Sequence, residues 1–490
     1  MKRAFTSIVI LAVSLMTVVE LLLGNIGYER NSHLLSNAYA GINRVDSISF
    51  ADLRVVTENG KGCEVPVRDI YHKDCYWHTS PTNIPTLFIH LSRLFGIGSQ
   101  NTTVVGIVLG TCVVATSIVI FIKTLGTEYA AILSVVFFLS HPTRYALERG
   151  NIDMIIYILI IIFAASASHL LTPTSGNPDS SMKPIISGSI RNFYVRRRFE
   201  INSIVMATSL LAAVMGKVYP ILLFPVIVFI YYSSHARKTL ADQDEDYVNK
   251  INLFRIHSIS LIACACIAVS FLYILTDIAH MLSSSATGTN AGLLFGLKTL
   301  PDTGTSEKLQ YTIKLFLLGL GVFKGFSRGS QISAKPAYFK DLATSFSDYS
   351  LMLFASRRYW DTFCVTLFIC GSFLFFGSYI AFANGNYRLF MFIGFLSPLL
   401  LRFFRHQKQS VQMSLHTDIQ RRSPAPAGSI EALAPFIAII IIATFNYRPY
   451  IPGLQHTTSI FWDALLLPSF IGLVFGSALS IAWKSIKCPF

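Results

Sequence analysis

The amino-acid sequence predicts an all-α integral membrane protein of about 12 transmembrane helices, within a range of about 10 to 13, with a long first extracytoplasmic loop. Three observations predict it. Of 490 residues, 52% are hydrophobic and only 13% are charged, about half the charged fraction of an ordinary soluble domain. Apolar runs of about 20 residues, the length a helix needs to cross hydrocarbon, recur along the whole chain. The 40 Lys and Arg against 26 Asp and Glu leave a net charge of +14, and the basic residues fall between the apolar runs. They form no amphipathic stripe and accompany no aromatic-basic recognition motif, so nucleic acid is excluded as a partner and topology is their role.

Residues 1–24 read as the first transmembrane helix: Lys2 and Arg3 precede an apolar run from Ala4 to Gly24. No small-x-small cleavage site follows at Asn25 to Tyr28, so an uncleaved span is expected rather than a signal peptide. Glu20, near its outer end, is expected to face protein or the interface. Residues 25–101 form the extracytoplasmic loop. Residues 102–276 hold transmembrane helices at 102–123, 128–145, 152–171, 201–216, 218–232 and 256–276. A second extracytoplasmic loop spans 277–309, and residues 310–490 hold the C-terminal helices at 310–326, 361–383, 387–401, 431–446 and 460–483.

Threaded with the N-terminus inside, the cytoplasmic loops collect the cations. Arg191, Arg196, Arg197 and Arg198 share one loop, and Arg237, Lys238, Lys250 and Arg255 another. Arg328, Lys335, Lys340, Arg357 and Arg358 occupy a third, and Arg402, Arg405, Lys408, Arg421 and Arg422 a fourth. Both termini are then cytoplasmic, and the inner (plasma) membrane is the expected location. The run from Gln310 to Phe326 contains Lys314 and Lys324 and reads either as a crossing or as a re-entrant or interfacial helix; deleting it would carry the 402–422 cluster outside, which favours the crossing. The runs around Gly216 and Pro220 are interrupted, as in a hairpin or a broken helix.

Two of the 8 cysteines, Cys63 and Cys75, lie in the first outside loop. In an oxidising compartment they suit a disulfide, with two free thiols as the alternative. His72 and His78 flank Cys75, but these spacings match no standard zinc site, so no metal ligands are assigned.

Four outside elements concentrate polar groups. Ser49-Phe50-Ala51-Asp52-Leu53-Arg54 offers a carboxylate and a guanidinium two residues apart. In an extended segment they share a face, where Arg54 keeps Asp52 ionised or itself binds phosphate, and Asp52 can act as a general base. The segment from His141 to Asp153 brings Glu148, Arg149, Asn151 and Asp153 to the outer ends of two spans, where mutual pairing in a water-lined cavity offsets the cost of charge in lipid. Lys217 and Tyr219 lie in Gly216-Lys217-Val218-Tyr219-Pro220, where the ammonium either snorkels or neutralises a lipid phosphate. Arg388, in Asn386-Tyr387-Arg388, opens a late span with another phosphate-matching cation. No phosphate-cradling Gly-rich loop appears on the inside, which disfavours a nucleotide-driven pump.

On these pieces the chain resembles the GT-C class of membrane glycosyltransferases, most closely bacterial glycosyltransferase family 87-like (DUF2029-like) proteins. They are the first span with a long outside loop carrying FADLR, the RGNID segment opening a span, the KVYP turn and the NYRL segment. The sequence departs from the family pattern at Asn151, where Gln is common. The resemblance implies a GT-C-like fold, an Asp in the first outside loop as catalytic base, and a polyprenyl-phosphate-linked sugar as donor substrate. It implies transfer with inversion to a glycan or glycolipid acceptor of the cell envelope. Carried over, Asp52 is the base, with Asp46 and Asp74 of the same loop as alternatives. Arg54, Glu148, Arg149, Asn151, Asp153, Lys217, Tyr219 and Arg388 are the substrate-binding candidates. This chemistry needs no cofactor or metal, although some relatives in the wider class use divalent ions. The competing function is a transporter or flippase of a lipid-linked sugar, with Glu148, Arg149 and Asp153 in its path; a third is an envelope scaffold whose outside loop binds a partner.

Overall fold

The computed structural model describes residues 2–23, 50, 53, 56–57, 87–140, 143–144, 146–147, 150, 152–172, 188–216, 219–227, 229–230, 305–330, 342–356, 358–381, 389–418 and 467–487. Among them there is no strand. The helices are α1 (Lys2–Leu23), α2 (Leu87–Leu94), α3 (Thr102–Leu125), α4 (Thr127–Leu139), α5 (Asp153–Leu171), α6 (Gly188–Gly216), α7 (Thr305–Ser330), α8 (Leu342–Ala355), α9 (Tyr359–Ala381), α10 (Leu389–Asp418) and α11 (Leu467–Lys487). By length and composition, Thr102–Leu125, Asp153–Leu171 and Tyr359–Gly377 are long and apolar enough to cross a membrane. Shorter apolar stretches run at Ala4–Val19, Thr127–Leu139, Glu200–Gly216, Leu315–Phe326, Phe390–Phe403 and Ser469–Ser485.

The outward faces identify the solvent. Phe5, Ile8, Leu11 and Leu15 recur at helical spacing on α1, and each is at least 60% exposed. Val104, Val108 and Val119 on α3 and Phe316 and Phe323 on α7 are exposed too. Apolar surface on that scale is stable against lipid tails and not against water.

Inside, aromatic rings fill the space between helices. Tyr157 of α5 stacks on Phe395 of α10 with centroids 4.9 Å apart and on Phe137 of α4 at 6.3 Å. Its hydroxyl meets Ser117 of α3 at 3.0 Å, which satisfies the polar end of a fully buried ring. Gly394 makes this possible, because a Cβ there would stand 2.6 Å from the Tyr157 oxygen.

Helices α7 and α11 meet differently, backbone against backbone. A Cβ on Gly321 would lie 2.6 Å from the Ser469 carbonyl, and one on Gly325 2.5 Å from that of Leu473. Cβ atoms on Gly472 and Gly476 would lie 2.2 and 2.3 Å from the carbonyls of Leu318 and Val322. Both helices therefore carry a small-xxx-small pair at the crossing, the packing that works where lipid provides no hydrophobic drive. Because Gly321 pairs with Gly472 and Gly325 with Gly476, the two helices run parallel. The Lys314-containing run, for which the positive-inside rule favours a crossing over an interfacial helix, is one continuous 26-residue helix lying along α11.

Helix directions follow from specific contacts. We call the end of the bundle at Thr102 the upper end and that at Leu125 the lower end. Arg405 of α10 donates to the Leu125 carbonyl at 3.1 Å, and His169, near the end of α5, stacks on Tyr359, the start of α9, at 4.3 Å. Lys484 of α11 reaches Asp348 of α8 at 3.4 Å, and the neighbouring Tyr349 donates to the Arg402 carbonyl at 3.2 Å. Thus α3, α5, α7, α10 and α11 descend, while α4, α6 and α9 ascend. These are the relative directions that the alternation of apolar runs demands of the same segments.

Several boundaries differ from the sequence expectation. The helix expected to span 128–145 stops at Leu139, and Thr143 and Arg144 are helical again beyond the break. Ser140 stops it: its hydroxyl donates to the Phe137 carbonyl at 2.8 Å and to Thr143 at 2.9 Å, and Pro142 follows. Arg402 and Arg405 were expected in a loop, but α10 continues through both to Asp418. Arg402 forms an ion pair with Asp361 of α9, whose side chain is only 8% exposed. A carboxylate so deep in the bundle requires a cation, and extending the helix brings one to it.

Candidate functional site

At the upper end, the first turn of α5 presents Asp153, a position where the helix dipole favours negative charge. The side chain is fully buried, and the Tyr219 hydroxyl donates to its Oδ1 at 2.8 Å. Tyr219 arrives there because α6 ends at Gly216 and Pro220 follows in sequence. Proline cannot continue the helix and disfavours helical backbone at the residue before it, and the chain resumes as a 3-10 turn over Tyr219–Leu223. The same hydroxyl lies 3.6 Å from the sulfur of Met391, in the first turn of α10.

A second contact brings the first outside segment to this end. Phe50 is completely buried and has a φ of 57°, a left-handed conformation uncommon for a bulky side chain. Its ring lies over two glycines: a Cβ on Gly106 of α3 would meet it at 2.6 Å, and one on Gly150 at 2.9 Å. Gly150 itself has a φ of 62°, so that position favours glycine on backbone grounds as well. Beyond Phe50, the Thr57 hydroxyl pairs with Thr102 at 2.6 Å, and Ser92 of α2 donates to the Val56 carbonyl at 3.2 Å. Phe88, also on α2, packs where a Cβ on Gly216 would sit. Helix α2 thus lies between the first outside segment and the end of α6.

These contacts involve three of the four polar segments singled out in the sequence and reach Met391, just beyond the fourth. Phe50 is two residues before Asp52, Gly150 lies between Arg149 and Asn151, Tyr219 is two residues after Lys217, and Met391 is three residues after Arg388. Asp153 and Tyr219 are brought together directly. Asp52, Arg54, Glu148, Arg149, Asn151, Lys217 and Arg388 lie outside the described residues, as do Cys63, Cys75, Asp46 and Asp74. The extended geometry expected of Asp52 and Arg54 falls outside the described residues too. Leu53, Val56 and Thr57 are helical, and the Thr57 hydroxyl is 3.3 Å from the Leu53 carbonyl four residues back.

Sequence reasoning assigned no role to Phe50, nor to Gly106, Tyr157 and Met391, which look like ordinary apolar or small residues within a run. The one available signal was Phe50 itself: a large aromatic residue in a polar outside loop, beside a candidate base, needs a place to be buried. Among the described residues, no group of three or more His, Cys, Asp or Glu side chains converges. Compared with protein-family models, curated proteins and solved structures, the chain gives no match.

Proposed function

We propose that the chain is a membrane glycosyltransferase of the GT-C type, moving a sugar from a polyprenyl-phosphate-linked donor to a cell-envelope glycan or glycolipid at the extracytoplasmic face. The observation that carries this reading is that Phe50 of FADLR, Gly150 and Asp153 of RGNID, and Tyr219 of KVYP meet at one end of the bundle, with Met391, two residues past NYRL, beside them. Enzymes assemble a catalytic constellation from distant segments in this way, and the residues next to those contacts are a carboxylate and several cations.

In the proposed reaction the acceptor hydroxyl oxygen attacks the anomeric carbon while its proton passes to Asp52. The bond from that carbon to the phosphate oxygen breaks with inversion, and polyprenyl phosphate departs with both electrons of the broken bond. Lys217 and Arg388 are cations suited to the charge on that leaving group, with Arg54 and Arg149 as further candidates. Asp153, fixed by Tyr219, holds the start of α5 in register with the turn after Lys217. The reaction takes place in the bilayer, and the donor's own lipid anchors it there.

The decisive experiment uses purified protein in proteoliposomes with a panel of polyprenyl-phosphate sugars, read by formation of a new glycosidic bond. Asp52→Asn is expected to abolish product with the protein still folded. Full activity in that variant removes Asp52 as base, and vectorial movement of the intact donor without product assigns transport instead.

A further inference from the structure

We propose that Phe50 is the positioning residue of this site: its ring, wedged into the notch between Gly106 and Gly150, fixes where the Asp52 segment meets the bundle. Three independent features converge on it. It is the one non-glycine with positive φ among the described residues. A bulky residue holds that conformation only where its surroundings over-determine it, and such strain concentrates at functional sites. The ring is wholly buried although it belongs to the polar outside loop. Both floors of the notch are glycine, and added carbons there would approach the ring at 2.6 and 2.9 Å, so the seat admits no side chain.

Leu53, Val56 and Thr57 continue the docking along the next helical turn. Leu53 and Val56 are buried, Thr57 pairs with Thr102, and the Val56 carbonyl accepts from Ser92. Leu53, Val56 and Thr57, beside the Phe50 ring, thus hold the segment to α3 and α2. Phe50 makes no polar contact of its own to a reacting group. It acts through Asp52, two residues on, and this role rests on the reading of Asp52 as the base.

The test separates docking from chemistry. Thr57→Cys with Thr102→Cys places two thiols where the hydroxyl oxygens are 2.6 Å apart. Oxidative cross-linking in native membranes, mapped by mass spectrometry, then reads whether the segment is seated. With Phe50 present the cross-link is expected to form readily. Phe50→Ala is expected to slow it at least about tenfold while the melting transition of the bundle in detergent stays in place.

Gly106→Ala provides a second variant. Alanine suits the middle of α3 better than glycine, so the helix is not weakened, yet its methyl evicts the ring and the same loss of cross-linking is expected. A rate within about twofold of the parent in both Phe50→Ala and Gly106→Ala overturns the proposal, as does loss of the cross-link only together with global unfolding. If seating depends on Phe50 while Asp52→Asn keeps full transfer activity, the anchor stands and the base assignment falls. If seating is independent of Phe50 while Asp52→Asn is dead, the base stands and the anchor falls. Where both hold, Phe50→Ala is expected to lower kcat far more than it raises KM for the lipid-linked donor, because it displaces a base without removing a binding contact.

Discussion

The two ends of the bundle use polar groups in opposite ways. At the lower end, charge closes on charge: Arg402 pairs with Asp361, Lys484 with Asp348, and Arg405 is spent on the last carbonyl of α3 and the face of Tyr129. At the upper end the described contacts are a tyrosine hydroxyl on a carboxylate, a hydroxyl on a hydroxyl, and a phenyl ring on two glycines. The partners described for Asp153 and Arg144 at this end are a hydroxyl and a carbonyl, while the other formal charges that the sequence places there belong to the residues beside those contacts. A charge that serves only structure is best satisfied by its opposite, and one that serves a substrate must be held by something else.

The largest effect expected from this contrast is at the lower end. Asp361→Ala leaves the partly buried Arg402 guanidinium without its carboxylate between α9 and α10, and should cost about 2–3 kcal/mol in detergent unfolding. Replacing both partners with leucine should recover most of that loss, whereas an undiminished penalty in the double variant would mean that the pair acts through more than its own charges. Next is the glycine crossing, which belongs to neither end. Gly472→Val forces a branched side chain against the Leu318 carbonyl, where even a Cβ would stand at 2.2 Å. It should separate α7 from α11 at a cost of about 1–3 kcal/mol, measured by the same unfolding.

At the upper end the expected stability effects are smaller and the functional ones larger. Tyr219→Phe removes the hydroxyl donor to a buried carboxylate and should cost about 1–3 kcal/mol, while reducing transfer activity by misplacing the Lys217 turn. The smallest stability change is expected for Asp52→Asn, within about 0.5 kcal/mol, despite abolished transfer. If Asp52→Asn destabilised the protein as much as Asp361→Ala, the contrast between the two ends would be gone.

Much of the fold was legible in the chain, and the reason differs by element. Thr102–Leu125, Asp153–Leu171 and Tyr359–Gly377 were readable because a helix in lipid satisfies its own backbone, so length and apolarity suffice to identify it. Arg402 was misread as a loop residue because the positive-inside rule treats cations as markers of an aqueous connection. Its carboxylate partner lies 41 residues earlier, and no local signal connects the two. The seat of Phe50 was illegible for a related reason: it is built from Gly106 and Gly150, far along the chain.

The sequence by itself determined the solvent of this protein, its all-helical character and the alternation of its runs, because the bilayer imposes those on any chain of this composition. It also marked four short segments by their charge. Only the tertiary structure decided that the segments meet, through Phe50 over Gly150, Asp153 on Tyr219 and Tyr219 beside Met391, and that the basic end is a clamp. Spacing along the chain carries no record of such contacts: each depends on the absence of a side chain on one helix and the direction of a side chain on another, and both exist only after the helices have packed.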